Sequence, residues 1–167
     1  ASCTAANAAF TLAVTDSARA TATANLTVTV TSSAPPVMTM ATNAMLLQSN
    51  GKMNTFAGAD MVKAVSDDCD ADLSGSVVIE SVSSDEMVSE GAKTEGADVA
   101  ISGDCRSVQL RAARDIGGDG RVYVVTVKVQ DSDGGTAHAE FRVSVPRRGN
   151  EDAVEGPPVV VLQSSCN

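Results

Sequence analysis

The chain predicts an all-β, antiparallel sandwich, and three features of its sequence carry that expectation. First, residues 120–146 alternate apolar and polar positions on both sides of Asp131-Ser132-Asp133-Gly134-Gly135. Tyr123, Val125, Val127 and Val129 share one face with Ala139, Phe141, Val143 and Val145, while Lys128, Glu140 and Arg142 face the other way. A period of two around a Gly-rich turn marks a half-buried hairpin. Second, apolar residues make up 43% of the 167 residues but aromatics only 2%. The core must then be built from Val, Ala, Leu, Ile and Met, and Val- and Thr-rich alternating stretches suit strands better than helices. Third, the hairpin occurs twice. Sliding Asp16 onto Asp131 lays Phe10, Leu12 and Val14 on Val125, Val127 and Val129, and Leu26, Val28 and Val30 on Phe141, Val143 and Val145. This is an internal repeat.

Taken in order, residues 1–33 are expected to be the C-terminal hairpin of a preceding repeat, 34–146 a complete sandwich, and 147–167 a linker and the first strand of a following repeat. Pro35-Pro36-Val37 recurs as Pro157-Pro158-Val159, and the prolines hold each linker extended. Val37 to Gln48 supplies a first strand and Asn50-Gly51 a turn. Residues 53–66 make a second strand carrying Val62 and Ala64 toward the core, and 67–72 is an acidic loop. Ser76–Ser83 is a third strand, followed by a solvated insertion from about 84 to 96. Val99–Ser102 and Ser107–Ala112 are two more short strands, and a glycine-rich turn at 115–120 enters the closing hairpin. About seven strands in roughly 110 residues is the pattern of an immunoglobulin-like sandwich.

The net charge of −9 and pI near 4.4 argue against nucleic acid and anionic membrane surfaces as partners, because both repel an acidic chain. No segment reaches the roughly 20 apolar residues that span a bilayer. With no leader peptide visible, the chain is expected to be mature or part of something longer. Cys3, Cys69, Cys105 and Cys166 lie far apart beside a single histidine. That argues against a Cys/His zinc site and for an oxidising, extracellular setting. His138 lies mid-strand on the outward face without a nucleophile motif, so it reads as a surface residue and no catalytic residues are expected.

In a seven-stranded sandwich the loops after strands two, four and six emerge at one end, which brings 67–72, 104–105 and 131–135 together. A Cys69–Cys105 disulfide is expected there, the alternatives being free thiols or pairing with Cys3 or Cys166. The same end gathers Asp68, Asp70, Asp104, Asp131 and Asp133, with Asp67 and Asp72 beside them. Calcium takes about six to eight oxygens from such loops, so these five are the candidate calcium ligands; the alternative is acids that solubilise the loops. Tyr123, at the start of the sixth strand, suits a tyrosine corner, in which the hydroxyl bonds a backbone group. Asn25-Leu26-Thr27 matches an N-glycosylation acceptor, with Asn25 on the outward face.

Asn50-Gly51-Lys52-Met53, 65–70 (VSDDCD), 107–112 (SVQLRA) and 120–134 (GRVYVVTVKVQDSDG) together resemble the extracellular immunoglobulin-like tandem repeats of bacterial surface proteins. These overlap in appearance with hyalin-repeat, polycystic-kidney-disease-type and cadherin-like modules. The core tryptophan of antibody-type domains is absent. The resemblance implies a non-enzymatic structural or adhesive module of a cell-surface stalk or fibre. Its partners would be neighbouring repeats or identical subunits, and a cell-surface protein or glycan. It also implies calcium stiffening the joints, where Asp115 and Asp119 would sit beside Glu151 and Asp152. Two alternatives stand beside it: a filament subunit polymerising by strand donation, and a carbohydrate-binding accessory domain, disfavoured by the scarcity of aromatics.

Overall fold

The computed structural model describes residues 6–30, 34–46, 49–87, 98–149 and 151–166. The expected insertion lies mostly outside these, as does Cys3. The first element is a hairpin of two ten-residue strands, β1 (Ala6–Thr15) and β2 (Thr21–Val30), paired from Ala6↔Val30 to Thr15↔Thr21. Its turn is held by Asp16, whose amide donates to Ala20 O and whose Oδ1 accepts the Ala20 amide over 2.8 Å.

The sandwich follows. Its elements are β3 (Val37–Met40), β4 (Ala44–Met45), β5 (Met53–Ala57), a one-turn helix α1 (Gly58–Met61), β6 (Val62–Ser66), β7 (Val78–Ser84), β8 (Val99–Ile101), β9 (Ser107–Arg111), β10 (Gly120–Gln130), β11 (Thr136–Pro146) and β12 (Val160–Gln163). One layer runs β12-β7-β10-β11-β4; the other is formed by β3-β6 and β5-β9-β8. The first expected strand is divided between the layers. Its front half, β3, pairs antiparallel with β6, and its rear half, β4, pairs parallel with β11. This is the immunoglobulin-like arrangement the strand count predicts.

The second expected strand is broken by α1, and the break changes what faces inward. Met61 is fully buried, and Val62 and Val65 pack against the core. Ala64, expected inward, is exposed. One turn of helix rotates the chain between β5 and β6, so the alternation does not carry across it.

The core is mostly aliphatic. Val125, Val127 and Val129 of β10 and Val143 and Val145 of β11 are fully buried against Met61, Ile79, Val108 and Leu110. Phe56 of β5 meets Phe141 of β11 across the layers, with ring centroids 6.4 Å apart. Burying a side chain of this size contributes roughly 1.5–3 kcal/mol.

The C-terminal strand departs from expectation. Assigned to a following repeat, β12 instead pairs antiparallel with β7 of the central sandwich, from Val160↔Ser84 to Gln163↔Ser81. The outer edge of β7 offers unpaired backbone groups, and β12 satisfies them while Leu162 packs against the core. No helix among the described residues is long and apolar enough to cross a membrane.

Candidate functional site: the acidic end, the buried arginine and the strap

The acidic loops converge as the topology predicts. The Ser132 amide donates to Asp70 Oδ2 over 2.8 Å, which ties the loop after β6 to the β10–β11 turn. That turn lies against the Pro35 linker: a Cβ on Gly135 would stand 3.2 Å from Pro35 Cα and collide with the Asp131 carboxylate. Asp131 is buried, and its Oδ1 accepts the amides of Asp133 and Gly135 at 2.9 and 2.7 Å. Asp67 Oδ1 accepts the amides of Cys69 and Asp70. The Ser102 hydroxyl and then the Arg106 amide hold the Asp104 carboxyl below its ordinary value, and the Ser74 hydroxyl and amide do the same for Asp72.

Asp67, Asp72, Asp104 and Asp131 act as acceptors within their own loops and Asp70 accepts across to Ser132, and these acids are not drawn into one ligand set. Among the described residues, the group whose ligand atoms lie within 4.8 Å of one another is Asp67, Asp68 and Cys69. Cys69 is consumed in a disulfide, and two carboxylates fall short of the oxygen shell calcium needs. Asp70, Asp104, Asp131 and Asp133 stand outside that group, so the arrangement does not fit the five-carboxylate calcium site.

The sulfur pairing also differs from expectation. Cys105 bonds Cys166, with Cα atoms 6.2 Å apart. The expected Cys69–Cys105 disulfide is therefore not formed. The cause is β12: running antiparallel along β7, it returns residues 164–166 to the end of the sandwich that carries Cys105. There the Ser164 amide donates to Glu80 O, and the Ile79 amide donates to Cys105 O.

At the opposite end lies a buried charge network that the strand pattern left unremarked. Arg121 is 1% exposed and Asp98 3%. Arg121 Nη1 donates to Asp98 Oδ2 over 2.7 Å, and Arg111 Nε donates to Asp98 Oδ1 over 2.9 Å. The Arg121 guanidinium also reaches Ser84 Oγ, Glu86 O, Met87 O and Tyr123 Oη. Tyr123 is fully buried and donates its hydroxyl to Arg111 O over 2.9 Å, as expected of a tyrosine corner, and burial raises its phenol pKa. The sequence did hold a signal. Arg121 has the same parity as Tyr123 and Val125, so alternation alone puts a charge on the core face, where it needs a partner. Glu86 sits 4.0 Å from Arg121 Nε; burial pushes its carboxyl above the ordinary value, although Oε2 accepts the Asp115 amide.

Between β11 and β12 the chain crosses the outer face of the β10–β11 layer as a strap and leaves a cleft of about 200 Å³ lined by Val124, Glu140 and Pro158. Asp85 fastens the strap, accepting the Val122 and Gly156 amides with its two oxygens. Arg142 pairs with Glu155 at 2.6 Å and Glu140 at 2.9 Å. The remaining sequence candidates are on the surface. Asn25 is exposed on β2, its Oδ1 accepting the Thr11 hydroxyl, and His138 Nδ1 lies 2.9 Å from Glu80 Oε2.

The fold and these contacts define an immunoglobulin-like β-sandwich with a strapped, disulfide-anchored final strand and an appended hairpin of the same pattern. No protein-family model matches the chain, and no curated protein matches it.

Proposed function

We propose that this chain is a non-enzymatic structural or adhesive module of an extracellular stalk or fibre built from tandem immunoglobulin-like repeats. One observation carries the reading: β1–β2 reproduces β10–β11 residue for residue in register. Phe10↔Leu26 stands where Val125↔Phe141 stands, Leu12↔Ala24 where Val127↔Ala139 stands, and Val14↔Ala22 where Val129↔Ala137 stands. The turns agree as well. Asp16 and Asp131 make the same side-chain contact to the amide four residues on, and Arg19 and Gly134 both take positive φ. A duplicated closing hairpin joined through a proline linker is what a tandem array requires.

A load-bearing module needs its ends fastened, and the disulfide to Cys166 supports that role by closing the loop from Cys105, 61 residues back. An oxidising, extracellular location is part of the same proposal. No calcium is needed for it, since the backbone amides and the disulfide already order the acidic end. The glycan-binding alternative is poorly served for stacking, because Tyr123 and Phe141 are buried and Phe10 of β1 is the one strongly exposed aromatic among the described residues. The strand-donation alternative has to compete with the pairing of β12 to β7 in its own chain.

Pulling the chain by its ends in a force spectrometer tests the proposal. The expected trace has a discrete unfolding peak for the sandwich. Breaking the Cys105–Cys166 bond, with its sequence separation of 61, should then add roughly 20 nm of contour length, at about 3.3–3.6 Å per residue. A trace without a discrete peak under oxidising conditions would remove the mechanical reading.

A further inference from the structure

The hairpin β1–β2 presents an apolar face that nothing in the described chain covers. Phe10, Leu12, Val14, Leu26 and Val28 are 41–66% exposed, whereas Val125, Val127, Val129, Phe141 and Val143 at the equivalent places are 0–4% exposed. The opposite face is already satisfied: the Thr11 hydroxyl donates to Asn25 Oδ1, the Thr29 hydroxyl donates to Asn7 Oδ1, and Thr15 pairs with Thr21. Both outer edges of this two-stranded sheet are also unpaired among the described residues. A hairpin with an open face and two open edges is marginal in water.

We infer that this face is the docking seat for an immunoglobulin-like half-sandwich built like β3–β9 of this chain, with no acid at the position of Asp98. The register decides the occupant. In the central domain the same pattern of residues is covered by the β3-β6 and β5-β9 strands, and its edges are taken by β7 and β4. A second copy of β1–β2 would cover the face and leave the edges open, so a complete half-sandwich is the fitting partner. The chemistry of that partner follows from two differences. Ala6 and Ala8 occupy the positions of Arg121 and Tyr123. An acid equivalent to Asp98 would keep the contact that Arg111 of β9 makes to one oxygen, but its other oxygen would lose the buried Arg121 guanidinium and face alanine, which is unfavourable. The partner's interior at that corner is therefore neutral and apolar, unlike the central domain's.

This inference rests on the tandem-repeat reading, but its test reads the hairpin alone, not mechanical strength. A second copy of residues 34–115 is placed directly ahead of Ala1 of the full chain. Its own cysteines are changed (Cys69→Ala, Cys105→Ala), and Asp98→Ala removes its buried acid. Hydrogen exchange at the amides of Phe10, Leu12, Leu26 and Val28 is compared with the 167-residue chain. The expected result is a gain in protection of about 100-fold or more, abolished by Leu12→Asp in the hairpin. Retaining Asp98 in the added copy should cancel most of the gain. No gain in protection overturns the inference, and so does equal protection with Asp98 retained. Concentration-dependent dimerisation of the 167-residue chain that Leu12→Asp abolishes also overturns it, because a second copy would then be the occupant. If the hairpin is protected but the pulling experiment shows no discrete peak, the docking inference stands and the mechanical function falls.

Discussion

Replacing Asp98 with asparagine preserves the side chain's shape and removes its charge, which isolates what the buried ion pair does. Asp98 is 3% exposed and holds Arg121, 1% exposed, through a 2.7 Å bond, with Arg111 on its other oxygen. The remaining hydrogen-bond acceptors of Arg121 are a hydroxyl, a phenol and backbone carbonyls, all neutral, and the Glu86 carboxylate stands farther off at 4.0 Å. Asp98→Asn therefore leaves a guanidinium in the interior without its closest counter-charge, and losing one partner of a buried pair costs about 3–5 kcal/mol. Against a total stability of about 5–15 kcal/mol for a domain, that is a large fraction. It should appear in urea denaturation as a lower midpoint at unchanged slope, and in melting as a fall on the order of 15 °C or more. The loss should persist at high salt, because a buried pair is poorly screened. Glu140→Gln provides the contrast: its pair with Arg142 is exposed, and such pairs contribute less than about 1 kcal/mol. If Asp98→Asn costs under about 1 kcal/mol, the neutral acceptors together with Glu86 suffice for Arg121 and the reasoning fails.

Three other outcomes are expected. Cys105→Ala with Cys166→Ala opens a loop of sequence separation 61, and chain entropy predicts a loss of about 4 kcal/mol in chemical denaturation; a loss near zero would mean that β12 is held by pairing alone. Glu86 has a carboxyl raised above 4.5, chiefly by burial, so the folded chain binds its proton more tightly than the unfolded chain does. Its ionisation costs stability above the raised value, and that cost disappears as pH falls through that value to below 4.5. Glu86→Gln should accordingly stabilise by less than about 1 kcal/mol at pH 7 and be neutral near pH 4, with the opposite trend counting against the burial argument. Finally, because the acidic loops are held by their own amides, millimolar calcium or a chelator should move the melting temperature by less than about 1 °C. A calorimetric titration with a binding heat, lost in Asp67→Asn with Asp68→Asn, would restore an ion to that end.

The closing hairpin was the most legible part of the chain, because a period of two over eleven residues on either side of an Asp/Gly turn admits one face assignment and one register. Its copy at residues 6–30 was legible for the same reason, and both registers agree in the structure. The gathering of the acidic loops also followed from strand order, since connectivity decides which loops share an end. Short segments were less legible. The turn of helix at Gly58–Met61 reset the alternation and turned Ala64 outward, because four residues are too few to show a helical period.

By itself, then, the sequence determined the all-β class, the repeated hairpin, the inward set Tyr123, Val125, Val127 and Val129, and the acidity of one end. All of these depend on local periodicity and composition. Tertiary structure alone decided that β12 folds back onto β7, that Cys105 reaches Cys166, and that Asp98 and Arg111 meet Arg121. Each of those joins residues far apart in the chain through an open sheet edge or a buried charge. Which distant segment satisfies such a group is a question of space, and spacing along the sequence does not carry the answer.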